Sequence, residues 1–270
     1  RVIAVAATTG TAIGGGIAHI AQGGKGYVTV NSGEVYAYNF GAPYAETLAS
    51  GERFTMINSF GGAEFIPGTA IGGGSSVKST GNLGEVVING GYVYAESLGG
   101  AGIGGGNTVQ NNGGDATIKI NVGEVHSIST HTTLDTIIDA RGNSVTTVVE
   151  SGAGIGGGFS EKTNGGKGNV TITGGKVTAN GIGGGNTING VGGDANVTIS
   201  GGTTKANTIG GGFSSTQGFA NGKVTVTGGC IDTEMAAIPT DGKGNMVFMT
   251  RVSLYKDSIV QKWSIIIQEK

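Results

Sequence analysis

The tetrapeptide Ile-Gly-Gly-Gly recurs six times, starting at Ile13, Ile71, Ile103, Ile155, Ile182 and Ile209, at intervals of 58, 32, 52, 27 and 27 residues. Those intervals are uneven, but a second column beside them restores order. Short β-rich runs end at Asn31, Asn58, Asn89, Asn121, Glu150, Thr173, Ser200 and Thr227. From each motif isoleucine to the following column residue (Asn31, Asn89, Asn121, Thr173, Ser200 or Thr227) the distance is 18 residues in all six copies. A solvated loop tolerates changes of length at little entropic cost, so an arc of fixed length is one pinned into a repeating coil. The remaining arc varies, from 5 residues between Glu150 and Ile155 to 14 between Asn89 and Ile103. Counting 18 residues back from Asn58 reaches Phe40, where Phe40-Gly41-Ala42-Pro43 reads as a degraded motif. The same count from Glu150 reaches Thr132, where nothing of the motif remains.

The residue before each column position is β-branched and aliphatic: Val30, Ile57, Ile88, Ile120, Val149, Ile172, Ile199 and Val226. The residue before that is polar at Thr29, Lys119, Thr171, Thr198 and Thr225. Alternation with period two marks a strand with one buried face. A strand of four residues does not hold itself together in water, and one coil does not bury its own apolar face, whereas stacked coils repeat the same contact with each neighbour. The sequence therefore predicts an all-β chain, a right-handed parallel β-helix (β-solenoid) of about nine coils of ~27 residues over 1–230. At ~4.8 Å per rung this makes a rod on the order of 40 Å long. Glycine is expected at the corners, and Asn31, Asn58, Asn89 and Asn121 are expected to stack into an amide ladder. Residues 231–270 lack the motif and contain Met235, Met246, Met249 and Trp263 in two alternating stretches, as expected of a C-terminal cap or the start of a further β segment.

Composition narrows the partners. Glycine supplies 58 of 270 residues, yet there are only 3 prolines and no G-x-y period, which excludes collagen. With 13% charged residues, a net charge of -2 and no basic stripe, nucleic acid is excluded as a partner. The single cysteine, Cys230, permits no internal disulfide, and no run of 18 apolar residues is present to span a membrane. A chain beginning at Arg1 is expected of a mature or trimmed fragment.

The Ile-Gly-Gly-Gly motifs, with Gly-Asn-Val-Thr-Ile-Thr-Gly-Gly-Lys-Val-Thr-Ala between them at 168–179, resemble the β-helix repeat regions of large cell-surface proteins, adhesin-like and carbohydrate-binding-like, of Gram-positive and gut bacteria. The asparagine column is similar to that of pectate-lyase-like right-handed parallel β-helices. The resemblance covers residues 1 to about 230, and segment 128–145 departs from it. It implies an extracellular or cell-surface location and an adhesive, carbohydrate-facing or scaffold role.

Several patterns carry candidate chemistry. Gly113-Gly114-Asp115 and Gly192-Gly193-Asp194 invite a calcium reading, but the equivalent positions hold Lys25 and Lys167, and a cation site does not alternate Asp with Lys. No glycine triplet is followed by Lys-Ser/Thr, which argues against a phosphate loop. Asp135, Asp139 and Arg141, with His126 and His131 nearby, form the one local titratable cluster, and a solvated loop explains it. No catalytic residue, metal or cofactor is expected, and the chain is read as a non-enzyme.

Aligning Gly33, Gly62, Gly91, Gly123, Gly175 and Gly202 turns Val35, Val93, Val125 and Val177 inward and Tyr36, Phe65, Tyr94 and His126 outward over four adjacent rungs. With Tyr38, Tyr92 and Glu96 beside it, this column is a candidate platform for sugar rings. Thr171/Thr173, Thr198/Ser200 and Thr225/Thr227 make a flat patch whose regularity suits an ice lattice. The expected function is an extracellular structural or adhesive module that presents a rigid surface for attachment or for self-assembly into filaments. The alternatives are a β-helix that binds or cleaves polysaccharide, with cell-surface glycans as partners, and an ice-binding solenoid.

Overall fold

The alternating runs form strands, and strands at equal offsets pair in parallel. In the computed structural model the main chain is described for residues 1–6, 10–39, 42–43, 45–47, 53–55, 65–66, 68–130, 132–138, 144–149, 152–214, 216–239 and 246–254. Side chains are described for 1–6, 10–39, 68–130, 152–214 and 216–233. Among these residues there are strands and turns but no helix. The first face stacks Val2–Ala6, Glu34–Asn39, Tyr92–Leu98, Glu124–Thr130, Lys176–Gly183, Thr203–Gly210 and Cys230–Pro239 in that order, each parallel to the next. The second face stacks Gly26–Val30, Gly84–Ile88, Ala116–Ile120, Gly168–Ile172, Ala195–Ile199 and Gly222–Val226, again parallel. Between the faces the motif isoleucines pair in one line, Ile13 to Ile71, Ile103, Ile155, Ile182 and Ile209. This is a parallel, solenoid-like stack.

Among the described residues the register gives six stacked coils, where about nine are expected from the spacing. Glu34–Asn39 pairs directly with Tyr92–Leu98, with no strand between them in this sheet among the described residues. That segment holds antiparallel pairs instead, Ala42–Pro43 with Phe65–Ile66 and Ala45–Thr47 with Arg53–Thr55. Glu124–Thr130 likewise pairs directly with Lys176–Gly183, and between them Thr132–Ile138 and Ser144–Val149 form an antiparallel hairpin. Two insertions, both leaving the coil at the end of a first-face strand, therefore account for the long intervals of 58 and 52 residues. They misled the spacing argument because a hairpin of β-branched residues has the same local pattern as a rung. Ile13 pairs directly with Ile71; of the degraded motif expected at 40–43, Phe40 and Gly41 lie outside the described residues.

The interior is a set of aliphatic columns. Ile71, Ile103, Ile155, Ile182 and Ile209 lie beneath the motif, and Val30, Ile88, Ile120, Ile172 and Ile199 beneath the second face, all of them buried. At the corner after this column, Asn89 donates to Asn31 Oδ1 at 2.8 Å and Asn121 donates to Asn89 Oδ1 at 2.7 Å. Thr173 Oγ1 continues the expected ladder to Asn121 Oδ1 at 3.2 Å. Asn58 lies outside the described residues.

The motif glycines are packed backbone to backbone. A Cβ on Gly14, Gly72, Gly104, Gly156 or Gly183 would sit on the carbonyl of the glycine one coil later, far inside the 3.0 Å that real Cβ atoms keep. At Gly14, Gly72, Gly156, Gly183 and Gly210 φ also lies between 137° and 148°, where L side chains are strained.

A buried hydroxyl ties five of the six 18-residue arcs to the coil before. Five residues after the motif isoleucine stand Ser76, Thr108, Ser160, Thr187 and Ser214, each no more than 1% exposed. Ser76, Thr108, Ser160 and Ser214 donate to carbonyls of the preceding coil, those of Ala21, Ser79, Asn111 and Gly190, at 2.6–2.8 Å. Thr187 does the same to Thr163. Each also accepts the N–H three residues on, that of Ser79, Asn111, Thr163, Gly190 or Gln217. A residue inserted between this hydroxyl and the N–H it accepts would break that bond. The parallel order ends after Cys230–Pro239, on which Met246–Leu254 lies antiparallel.

Candidate functional site

Because the first-face strands alternate, the residues following buried Val93 and Val125 point outward, which places Tyr94 and His126 on the surface with Tyr36. The register sets Tyr36 opposite Tyr94 and Tyr94 opposite His126, on three adjacent rungs. Tyr38 lies opposite Glu96, and Tyr92 lies between Glu34 and Glu124. Phe65 does not belong to this column. It lies in the inserted segment, where Phe65–Ile66 pairs antiparallel with Ala42–Pro43, and the neighbour of Tyr36 is Tyr94 itself.

The rings pack against one another along the axis. Tyr36 lies 5.5 Å from Tyr92 and 6.4 Å from Tyr94, Tyr38 lies 5.6 Å from Tyr94, and Tyr92 lies 5.5 Å from His126. Interplanar angles of 34–43° make this a tilted stack. The guanidinium of Arg1 covers Tyr36 at 4.9 Å from its centroid. Ring surface that a sugar would use is thus turned toward neighbouring rings.

The polar groups are paired as well. Tyr94 donates to Glu96 Oε2 at 2.9 Å. Burial first, and then this bond to a carboxylate, push the Tyr94 hydroxyl up to about 12. Burial, followed by the nearby Tyr36, also raises Tyr92. Glu124 Oε1 meets Lys176 Nζ at 2.8 Å and His126 Nε2 at 2.9 Å. The hydrogen bond from Lys176, and after it that from His126, hold the Glu124 carboxyl below its usual range, and the same bond raises Lys176. Arg1 approaches Glu34 at 3.6 Å.

Sequence reasoning therefore located Tyr36, Tyr38, Tyr94, Glu96 and His126 on one surface and missed Arg1, Glu124 and Lys176. Glu124 and Lys176 follow the corner glycines Gly123 and Gly175 directly, an offset that would have found them. Asp135, Asp139, Arg141 and His131 lie outside the residues with described side chains. The Thr171, Thr198 and Thr225 rungs are in register on the second face. Among the described residues no group of three or more His, Cys, Asp or Glu is placed to hold a metal ion, and no helix is long and apolar enough to cross a membrane. Comparison with models of protein families, with curated proteins and with solved structures finds no match.

Proposed function

We propose that this chain is a non-enzymatic structural module of the extracellular or cell-surface kind, a right-handed parallel β-helix that presents a stiff surface for attachment or assembly. One observation carries the reading: the side chains at the centre of the first face, Glu124, Lys176, His126, Tyr94 and Glu96, are engaged with each other. Glu124 is held by Lys176 and His126, Tyr94 by Glu96, and the rings by neighbouring rings. A surface whose side chains are held by their neighbours resists deformation. Six coils at ~4.8 Å make a rod of roughly 30 Å, a repeat unit suited to being lengthened or joined. The antiparallel strand Met246–Leu254 acts as a cap on the last parallel strand.

Sedimentation velocity over a wide concentration range, with electron microscopy of the same samples, tests this. Rods or their concentration-dependent fibres are expected, and a reducing-end assay should detect no cleavage of any polysaccharide. Release of reducing ends would remove the reading. A second reading, carbohydrate binding over the first face, draws on four partly exposed tyrosines and Glu96 lying together. It predicts glycan-array binding that Tyr36→Ala with Tyr94→Ala abolishes.

A further inference from the structure

Four of the chain's seven tyrosines stand together on two neighbouring strands of the first face, Tyr36 and Tyr38 on Glu34–Asn39 and Tyr92 and Tyr94 on Tyr92–Leu98. Tyr27 lies apart on the second face, 65% exposed, and Tyr44 and Tyr255 lie outside the described residues. Two ring pairs cross the strand boundary closely, Tyr36 with Tyr92 at 5.5 Å and Tyr38 with Tyr94 at 5.6 Å between centroids. Each pair bridges the segment inserted between these strands, so the residues it brings together are close in space and far apart in sequence.

A phenol differs from a phenyl ring in giving up an electron and a proton together, provided that a base takes the proton. At Tyr94 the base is already bonded, since the hydroxyl donates to Glu96 Oε2 at 2.9 Å. Rotation about χ2 of a tyrosine is soft, so the ortho carbons of rings this close come within reach of each other without movement of the backbone. All four rings are partly exposed, which gives small oxidants access. The single cysteine is free, so no disulfide ties one coil to another.

We propose that the first-face tyrosines are an oxidative modification site, at which a one-electron oxidant of the peroxidase class, with hydrogen peroxide, joins Tyr38 to Tyr94 as dityrosine. Each phenol loses one electron and its hydroxyl proton, and Glu96 receives the proton of Tyr94. The two phenoxyl radicals then form a bond from ortho carbon to ortho carbon. The ortho hydrogens move to the oxygens as the rings regain aromaticity, so the chain loses two electrons and two protons in all. Peroxide accepts both and leaves as two waters. Tyr36 and Tyr92 form the second pair able to react in the same way. The new bond staples the first two of these coils across the inserted segment, restricting the unfolded chain as any cross-link between distant residues does. Tyr27, alone on the other face, meets a phenol only on another molecule. The site depends on ring geometry alone and not on the module's role in assembly.

The test treats the whole chain, in dilute solution, with peroxidase and hydrogen peroxide, and separately with a ruthenium tris-bipyridyl complex, persulfate and light, which need no enzyme access. The monomer is expected to lose two hydrogens by intact mass, to gain dityrosine fluorescence, and to yield a linked peptide pair carrying Tyr38 and Tyr94. Its thermal unfolding midpoint should rise. Tyr36→Phe with Tyr38→Phe keeps the ring packing and should abolish the product within the chain, with the circular dichroism unchanged. Tyr27→Phe should leave that product intact and remove only covalent dimers. A chain that gives dimers alone, a bond mapped outside these two strands, an undiminished product in the Tyr36→Phe/Tyr38→Phe variant, or a midpoint unmoved by the cross-link would overturn the proposal.

Discussion

The glycine seam and the outer first face are built on the same rungs at the same spacing, yet they are held by different atoms. In the seam the opposing arcs of each coil touch main chain to main chain. The Ala220 N–H donates to Gly212, Gly212 to Gly193, and the succession runs on through Gly185, Gly166, Gly158, Gly114, Gly106, Asn82, Gly74 and Gly24 to the Gly16 carbonyl, each bond 2.7–3.0 Å. On the outer face, side chain meets side chain, and the column reads Tyr36, Tyr94, His126, Thr178 and Lys205. Registry is equally strict in both. The seam keeps glycine at most of its positions, because at most of them a Cβ would strike main chain. Repetition within this chain therefore marks steric necessity, and the variable column is where a surface acquires chemistry.

The largest expected effect breaks the seam. Gly156→Ala places a methyl group on the Gly183 carbonyl at a φ of 148°, against main chain that is fixed by its own hydrogen bonds. A loss of about 4 kcal/mol or more is expected, read as collapse of the denaturation midpoint. Gly16→Ala is the control within the same motif. Its Cβ would meet nothing within 4 Å, and the change in stability should stay within about 0.5 kcal/mol. Equal effects at the two sites would refute the steric account.

The next effect concerns the buried hydroxyl that joins an arc to the one before. Ser160→Ala leaves the Asn111 carbonyl and the Thr163 N–H without that partner inside the stack, at an expected cost of about 1–3 kcal/mol. Ser160→Thr should be tolerated, since Thr108 and Thr187 occupy the equivalent place. Ala18 holds this position in the first coil, where Ser replacement offers the converse experiment.

How much was legible beforehand follows from the same contrast. The constant arc and the column of Val30, Ile88, Ile120, Ile172 and Ile199 announced parallel stacking, because period-two alternation and equal length are properties of sequence alone. The coil count was not legible. Thr132–Ile138 and Ser144–Val149 are as β-branched as any rung, and only pairing partners distinguish an excursion from a coil. The tyrosine surface was legible as a set of outward residues. The packing of its rings on one another was not, since ring tilt depends on neighbours two residues away on the next strand. Serine or threonine stands five residues after five of the six isoleucines, a regularity visible in the sequence whose hydrogen bonds are not.

A smaller, favourable effect tests the apolar columns. Val93, Val125 and Val177 are followed in the same line by Thr204 and Ile231. Thr204 is 0% exposed and, among the described residues, its Oγ1 has no hydrogen-bond partner. Thr204→Val keeps the shape and removes an unsatisfied hydroxyl, so a gain of about 1 kcal/mol is expected in chemical denaturation. A loss of stability would mean that the hydroxyl has a role in the core.

The smallest effect belongs to the outer face and appears only against pH. Glu124 is held below its usual range, so its contribution is complete at neutral pH and fades as pH falls through the lowered value. Lys176 is raised, so its share is present below its ordinary value of 10.5 and fades as pH climbs through the raised one. Tyr94, raised from 10.0 to about 12, acts in the same alkaline direction, favouring the folded state below 10 and losing that contribution between 10 and 12. Melting temperatures of wild type and Lys176→Met should therefore differ slightly at pH 7 and converge in acid, the difference shrinking in high salt. A gap of constant size across the acid range would assign the effect to the packing of the lysine stem rather than to its charge.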